Sequence, residues 1–462
     1  MPPILALFLT VGFIVFLFRR DLRTESTVSR AIWLPMIWMF LIGSRFTSEW
    51  LDMLGIHLGK VSLEDGSPLD SLVFLGLIIG GLRVLALRET RLSHIIANNR
   101  FLALFFIYGF VSILWSDFPF VALKRWIKVL GHPIMALVLV TEADPEAAVR
   151  TLMRRAAYVL IPVSVLFLKY YPEYSRGFDA WTGAPVNTGI TTDKNALGYD
   201  CMIAGLFFVW NLLRVWRTEE GKTRRDEVIL SLGFLGMIWW LFGLAASSTS
   251  LVSFLVGSAA IIVLGQKWVN KKYIGIYLLS GILIAGTAES VFNISDNVIA
   301  MLGKDPTLTD RTKVWADVLR IDKDPLLGAG FESFWLGDRL KQIWSIYWWH
   351  PNQAHNGYIE TYLNLGLVGL CLLGALLFAT FRKGTREIVT NFEYGRYRLG
   401  VLAAILIYNW TEAAFKALHL VLFVFYIISL DYPKAEPEVI ESEAQDEQTE
   451  PEESLVSNEA PT

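Results

Sequence analysis

Apolar residues fall in long unbroken blocks, beginning near Leu5, Ala31, Leu69, Phe101, Leu130, Ala156, Ala196, Val228, Leu251, Tyr273, Gly357, Leu399 and Leu418. A helix needs roughly 20 apolar residues to cross a bilayer, and fewer where neighbours or aromatic anchors take up the mismatch. The blocks predict an all-α fold: a polytopic transmembrane helix bundle of about 12–13 helices with a large external loop between late helices. The first block, Pro3 to Phe18, has no basic region before it and no small-residue cleavage site after it, so it reads as a membrane helix rather than a cleavable signal.

Basic clusters fall at every second junction between blocks. Arg19, Arg20, Arg23 and Arg30 follow the first block, Arg83, Arg88 and Arg91 end the third, and Arg150, Arg154 and Arg155 precede the sixth. Arg214 to Arg225, Lys267 to Lys272 and Arg382 to Arg386 continue the alternation. Lys and Arg are retained on the cytoplasmic side, so the amino terminus is expected outside and the carboxyl terminus inside. The expected organisation is 1–287 for the first ten helices, with external loops near 44–68, 116–129 and 170–195. A large external loop, 288–355, the last helices, 356–432, and a tail, 433–462, complete it. The loop interleaves charges with Trp315, Trp335, Trp344, Trp348 and Trp349, which predicts a partly folded cap. The tail is rich in Glu, Pro and Ser and has too little apolar content to offset chain entropy, so it is expected to be disordered.

Composition sharpens the membrane assignment. Hydrophobic residues make up 54% of the 462 and charged residues only 18%, against about 25% charged in soluble chains. The net charge of −3 averages a nearly neutral body with the acidic tail and says nothing about partners. Cys201 and Cys371 both lie in apolar blocks, and the six histidines show no ligand spacing, so neither a disulfide framework nor a metal cage is expected.

Three expected external stretches concentrate polar residues that are costly beside a bilayer: Thr191-Thr192-Asp193-Lys194-Asn195, Asp310-Arg311-Thr312-Lys313-Val314-Trp315 and Ala354-His355-Asn356-Gly357-Tyr358. Two of them open a hydrophobic helix. A helix start offers unpaired N–H groups and a positive dipole end, which attract an anion, and Lys194 strengthens that attraction. Lys124, Arg125 and Lys128 also fall on the outer side, which points to an anionic partner there.

The order of these motifs resembles the O-antigen ligases and related exopolysaccharide polymerases of bacterial envelopes. The resemblance rests on Ser116 after a Trp, Leu123-Lys124-Arg125, Asp193 to Gly198, and Ser247 to Ser250. Gly303-Lys304-Asp305 with Leu308 to Thr312, Pro325 to Phe331, and Ala354 to Tyr358 leading to Leu365 to Gly369 complete the set. The first hundred residues and the tail carry little of it. The resemblance implies a metal-independent, cofactor-free glycosyltransferase of the bacterial inner membrane, acting on its periplasmic face. Its donor would be a polyprenyl-pyrophosphate-linked oligosaccharide, and its acceptor a growing polysaccharide or a lipid. Membrane lipids and other components of a polysaccharide export system are the expected partners, and nucleic acid is not.

By similarity Lys194, Arg311 and His355 carry the site. Arg311 suits a leaving diphosphate because a guanidinium fork matches phosphate oxygens at two points. An imidazole, with an unperturbed pKa of about 6.5, suits the proton of an attacking hydroxyl. Arg125, Asn356 and Asp310 are further substrate-binding candidates, and either Asp310 or Glu360 is expected to orient His355. Four of them have a plainer reading: Arg311 as a surface ion pair, His355 as a cap of the helix that starts at Gly357, Lys194 as a snorkelling lysine, Arg125 as a headgroup contact. A transporter of lipid-linked oligosaccharide is the rival class, although it would place ionisable residues at mid-membrane.

Overall fold

Several of the helices begin on a residue whose side chain closes them. Ser67 accepts from Asp70 N, Asp144 from Ala147 N, Asn356 from Tyr358 N and Ile359 N, and Asn391 from Tyr394 N. Such caps satisfy backbone donors that a helix end leaves unpaired. The computed structural model describes residues 1–24, 28–57, 66–178, 183–275, 277, 311–321 and 323–432.

The helices are α1 (Pro3–Thr24), α2 (Trp33–Ile42), α3 (Thr47–Met53), α4 (Pro68–Leu87), α5 (Leu92–Asn98), α6 (Arg100–Val111), α7 (Pro119–Val140), α8 (Pro145–Tyr170) and α9 (Pro172–Ser175). They continue with α10 (Lys194–Thr218), α11 (Gly221–Ala245), α12 (Ser248–Leu264), α13 (Arg311–Arg320), α14 (Gly337–Ile346), α15 (Gly357–Thr390), α16 (Phe392–Thr411) and α17 (Leu420–Ser429). Strands β1 (Arg176–Phe178) and β2 (Pro185–Asn187) form an antiparallel pair, with Gly177 opposite Val186.

This is a polytopic helical membrane protein. Among the described residues six helices are long and apolar enough to cross a bilayer, or up to eight if the bent pairs α2–α3 and α5–α6 each form one span. Fewer elements meet that measure than there are apolar blocks, for physical reasons. The helix α7 carries Lys124, Arg125 and Lys128, α16 opens with Glu393, Arg396 and Arg398, and α12 and α17 are short. Most of the block near Tyr273, and the tail 433–462, lie outside the described residues.

The helix α10 packs on α11 and α12, and α16 on α12 and α15. These contacts gather the starts of α10, α12, α15 and α17 and the end of α16 at one end of the bundle. The opposite helix ends hold the alternating basic clusters, now paired. Asp21 takes Arg154 at 3.3 Å and Arg155 at 2.6 Å, Arg20 meets Glu227 at 2.7 Å, and Arg398 meets Asp431 at 2.9 Å.

One helix is broken, and the break shapes the site. Gly366 in α15 has φ +63° and ψ −164°, a conformation essentially restricted to glycine. The segment Pro325–Phe331 lies in the break and satisfies its backbone. Leu367 N donates to Pro325 O at 3.0 Å, Val368 N to Leu326 O at 3.2 Å, and Gly330 N to Asn364 O at 2.9 Å. Backbone groups in a low-dielectric layer must find such partners. The short first part of α15 thereby becomes a rigid platform.

The cap expected from the tryptophans has its own small core among residues 311–356. Val314, Val318, Ile321, Phe334, Leu340 and Ile343 are buried together, and Trp315, Trp344 and Trp349 pack against them. Trp315 Nε1 donates to Ala354 O at 2.7 Å, which ties α13 to the turn bearing His355. Residues 288–310 of the expected loop lie outside the described residues.

Candidate functional site

The end of α16 delivers Glu412, which takes two partners. Its Oε1 accepts from Arg311 Nη2 at 2.9 Å, and its Oε2 lies 3.3 Å from His355 Nδ1. Arg311 also donates through Nη1 to the Thr411 carbonyl. These bonds occupy two of the guanidinium's five N–H donors. The Arg311 and His355 side chains are partly buried and that of Glu412 is buried. Burial by itself pushes the Glu412 carboxyl up, but Arg311 and then His355 outweigh it and hold the group at about 2, so it is ionised at neutral pH.

His355 sits in a turn with φ +49°. Glu360 holds that turn: its Oε2 accepts from Ala354 N at 3.0 Å and its Oε1 from Asn364 Nδ2 at 3.3 Å. Glu360 therefore bonds the backbone before the imidazole rather than the ring, and the carboxylate on the ring is Glu412. Asp310 lies outside the described residues. Gln353, whose Oε1 accepts from Lys416 Nζ at 2.7 Å, places its amide nitrogen 3.5 Å from the same Nδ1. The shorter, charge-assisted contact to Glu412 assigns the Nδ1 proton, and the ring's Nε2 then carries the lone pair.

Asn356 has a structural task. Its Oδ1 caps α15, and its Nδ2 donates to Trp410 O at 2.9 Å. The adjacent Gly357 N donates to Glu412 O at 3.1 Å, and a side chain at Gly357 would collide with Asn409. The start of α15 and the end of α16 are thus in backbone contact, which is why His355 and Glu412 meet.

Lys194 is the first residue of α10, after Asp193, whose carboxylate accepts from Asn195 N and Ala196 N. Asp193 lies within electrostatic reach of Glu412 and Lys416. The start of α12 joins this wall: Ser247 Oγ donates to Asn195 Oδ1 at 3.4 Å, and Thr249 Oγ1 lies 2.7 Å from Thr411 Oγ1. Arg125 on α7 donates to the Glu332 carbonyl, while the Glu332 carboxylate accepts from Ala417 N at 2.8 Å. Arg125 therefore supports the loop on the flank of the site.

Below Glu332, Glu360 and Lys416 an apolar pocket descends along α15 and α17, lined by Phe105, Leu373, Leu376, Leu422 and Phe425. The other described histidines have simpler roles. His132 accepts from Trp38 Nε1 at 2.9 Å in the core, His419 Nδ1 caps α17, and His350 stacks on Trp344. Among the described residues no group of three His, Cys, Asp or Glu side chains is placed to hold a metal ion.

Sequence reasoning missed Glu412. Its one local signal is an acidic residue directly after an apolar block, in Tyr408-Asn409-Trp410-Thr411-Glu412.

Comparison with known proteins converges on the same region. Residues 227–374, which contain Arg311 and His355, match a family model described as O-Antigen ligase. The chain is 26% identical over 303 residues to the exopolysaccharide production protein ExoQ of Rhizobium meliloti (strain 1021). That match covers 62% of this chain and 65% of ExoQ, just under two thirds of the relative's length. Residues 227–374 are thus similar to the O-antigen ligase family, and the chain is distantly similar to ExoQ.

Proposed function

We propose that this protein is a glycosyltransferase of exopolysaccharide production, which moves a glycan from a polyprenyl diphosphate onto a sugar hydroxyl at the outer face of the bacterial inner membrane. The observation that carries the reading is the placement of Arg311 and His355 on the two oxygens of one buried carboxylate, Glu412.

In this reaction the acceptor oxygen bonds to the anomeric carbon and the bond from that carbon to the diphosphate oxygen breaks. The acceptor proton passes to His355 Nε2. The electron pair of the broken bond leaves on the diphosphate, where the remaining Arg311 donors and the Lys194 ammonium stabilise it. Fixed cations at the edge of a low-dielectric body act strongly on charge that develops during reaction. Glu412 holds the imidazole by its Nδ1 proton and favours the imidazolium that forms, while fixing the plane of the guanidinium. The lipid tail of the donor enters between helices. Relation to ExoQ, whose name describes exopolysaccharide production, favours polymerisation of repeat units over transfer to a lipid acceptor.

The test is an assay of purified protein with a polyprenyl-diphosphate oligosaccharide and a glycan acceptor. Release of polyprenyl diphosphate with lengthening of the acceptor is the expected result. Passage of intact donor across a vesicle membrane without release would replace the enzyme by a carrier.

A further inference from the structure

A second, polar cavity of about 660 Å³ is bounded by α3, the turn before α4, α9 with β1, and the turn that leads into α10. The volume is that of a small-molecule site, which spans roughly 300–1,000 Å³. Its charged lining is Arg45, Glu49, Asp52, Glu173 and Arg176, with Thr192 at the edge nearest α10.

The chemistry of this lining differs from that of the reacting group. Three carboxylates face two guanidiniums, so there is no cationic excess to favour a diphosphate. Sugar hydroxyls both donate and accept. Carboxylates take the hydroxyl hydrogens and guanidiniums give to the oxygens, and such bonds to charged groups are about twice as strong as neutral ones.

The walls are held in place before any ligand arrives. Arg45 donates to three backbone carbonyls, Tyr174 at 2.6 Å, Thr191 at 2.9 Å and Ile190 at 3.2 Å, which joins α9, the stretch before α10 and the bend between α2 and α3. Glu49 accepts from Phe46 N at 2.8 Å and fixes the start of α3. Thr188 and Thr192 line the cavity, and the residue after Thr192 is Asp193, which lies within electrostatic reach of Glu412. The cavity therefore adjoins the start of α10, where Asp193 and Lys194 stand.

We infer that this cavity is a subsite for the non-reacting sugar units of a glycan chain, and it rests on the glycosyltransferase reading above. The chain belongs either to the acceptor or to the donor oligosaccharide, and the chemistry is shared. Glu173 and Arg176 are exposed, so their removal spares the bonds that hold the walls.

The experiment titrates the whole purified protein with a lipid-free oligosaccharide of two or three repeat units cut from the host's own exopolysaccharide. It compares wild type with Glu173→Ala/Arg176→Ala and with the polar, uncharged Glu173→Gln/Arg176→Gln. Both variants are expected to unfold at the wild-type temperature and to bind the oligosaccharide at least about tenfold more weakly, the effect of losing one charged hydrogen bond. In turnover, a raised KM for the acceptor alone assigns the subsite to the acceptor, and a raised KM for the donor alone assigns it to the donor glycan. Unchanged affinity in both variants overturns the inference. Because the titration needs no turnover, a protein that binds the oligosaccharide yet releases no polyprenyl diphosphate would sink the enzyme reading and leave the subsite standing.

Discussion

Glu412 Oε2 lies 3.3 Å from His355 Nδ1, on the side of the imidazole away from the nitrogen that would receive a proton. The carboxylate is buried and ionised, and its other oxygen is held by Arg311. One acidic side chain thus sets the orientation of both groups that the proposed transfer uses.

If Glu412 positions His355, then Glu412→Gln, which keeps the shape and removes the charge, lowers kcat by about 10²-fold, within the range that general acid–base help supplies. The KM for the donor should move far less. Initial rates of polyprenyl diphosphate release measure both. Glu412→Asp is expected to recover part of the loss, and a Gln variant with wild-type kcat would remove Glu412 from the mechanism.

Arg311 and Glu412 should be coupled in stability as well. Arg311→Ala leaves a buried carboxylate without its main partner, a loss of roughly 3–5 kcal/mol in comparable pairs. The double variant Arg311→Ala/Glu412→Ala removes both charges, so its thermal midpoint in detergent is expected above that of Arg311→Ala while transfer stays abolished. Midpoints that simply add would argue against the coupling.

The depressed carboxyl of Glu412 also makes stability depend on pH. Its folded value of about 2 lies below the unfolded 4.5, so the unfolded state binds the proton more readily. The contribution is complete above pH ~4.5 and fades as pH falls toward ~2, on the order of 3 kcal/mol in all. Thermal midpoints recorded across that interval should fall less steeply for Glu412→Gln than for wild type.

Gly366→Ala tests the broken helix. A Cβ there would lie 2.2 Å from Leu326 O, in a backbone conformation that other residues avoid. Strain and collision together should cost more than about 3 kcal/mol. The expected result is a large drop in folded yield by size-exclusion chromatography. Gly374→Ala, a position with open space around its Cβ, serves as the control and should behave as wild type.

The fold class was legible because a lipid solvent imposes a rule that acts residue by residue: a spanning segment must be apolar and must satisfy its own backbone. Lys194 and His355 stood out for a related reason, since ionisable groups at the ends of apolar blocks are costly to place, while Arg311, in the expected loop, stood out through the resemblance of its motif. The cap was legible in part, because Trp315 and Trp344 announced a local core that the structure indeed buries. Asn356 was read from the sequence as a substrate contact, and its capping of α15 and bond to Trp410 came only from the structure.

Glu412 was not legible, and neither was the polar cavity. The carboxylate stands 57 residues after His355 and 101 after Arg311, so no local spacing relates the three. Only the packing of α16 against α12 and α15, with Gly357 N bonded to Glu412 O, brings them together. The sequence by itself determined that the chain is a polytopic membrane helix bundle and which residues are too polar for lipid, because both follow from transfer free energies that each segment carries alone. The tertiary structure decided which of those polar residues share a partner, because that depends on how helix ends from distant parts of the chain are set side by side.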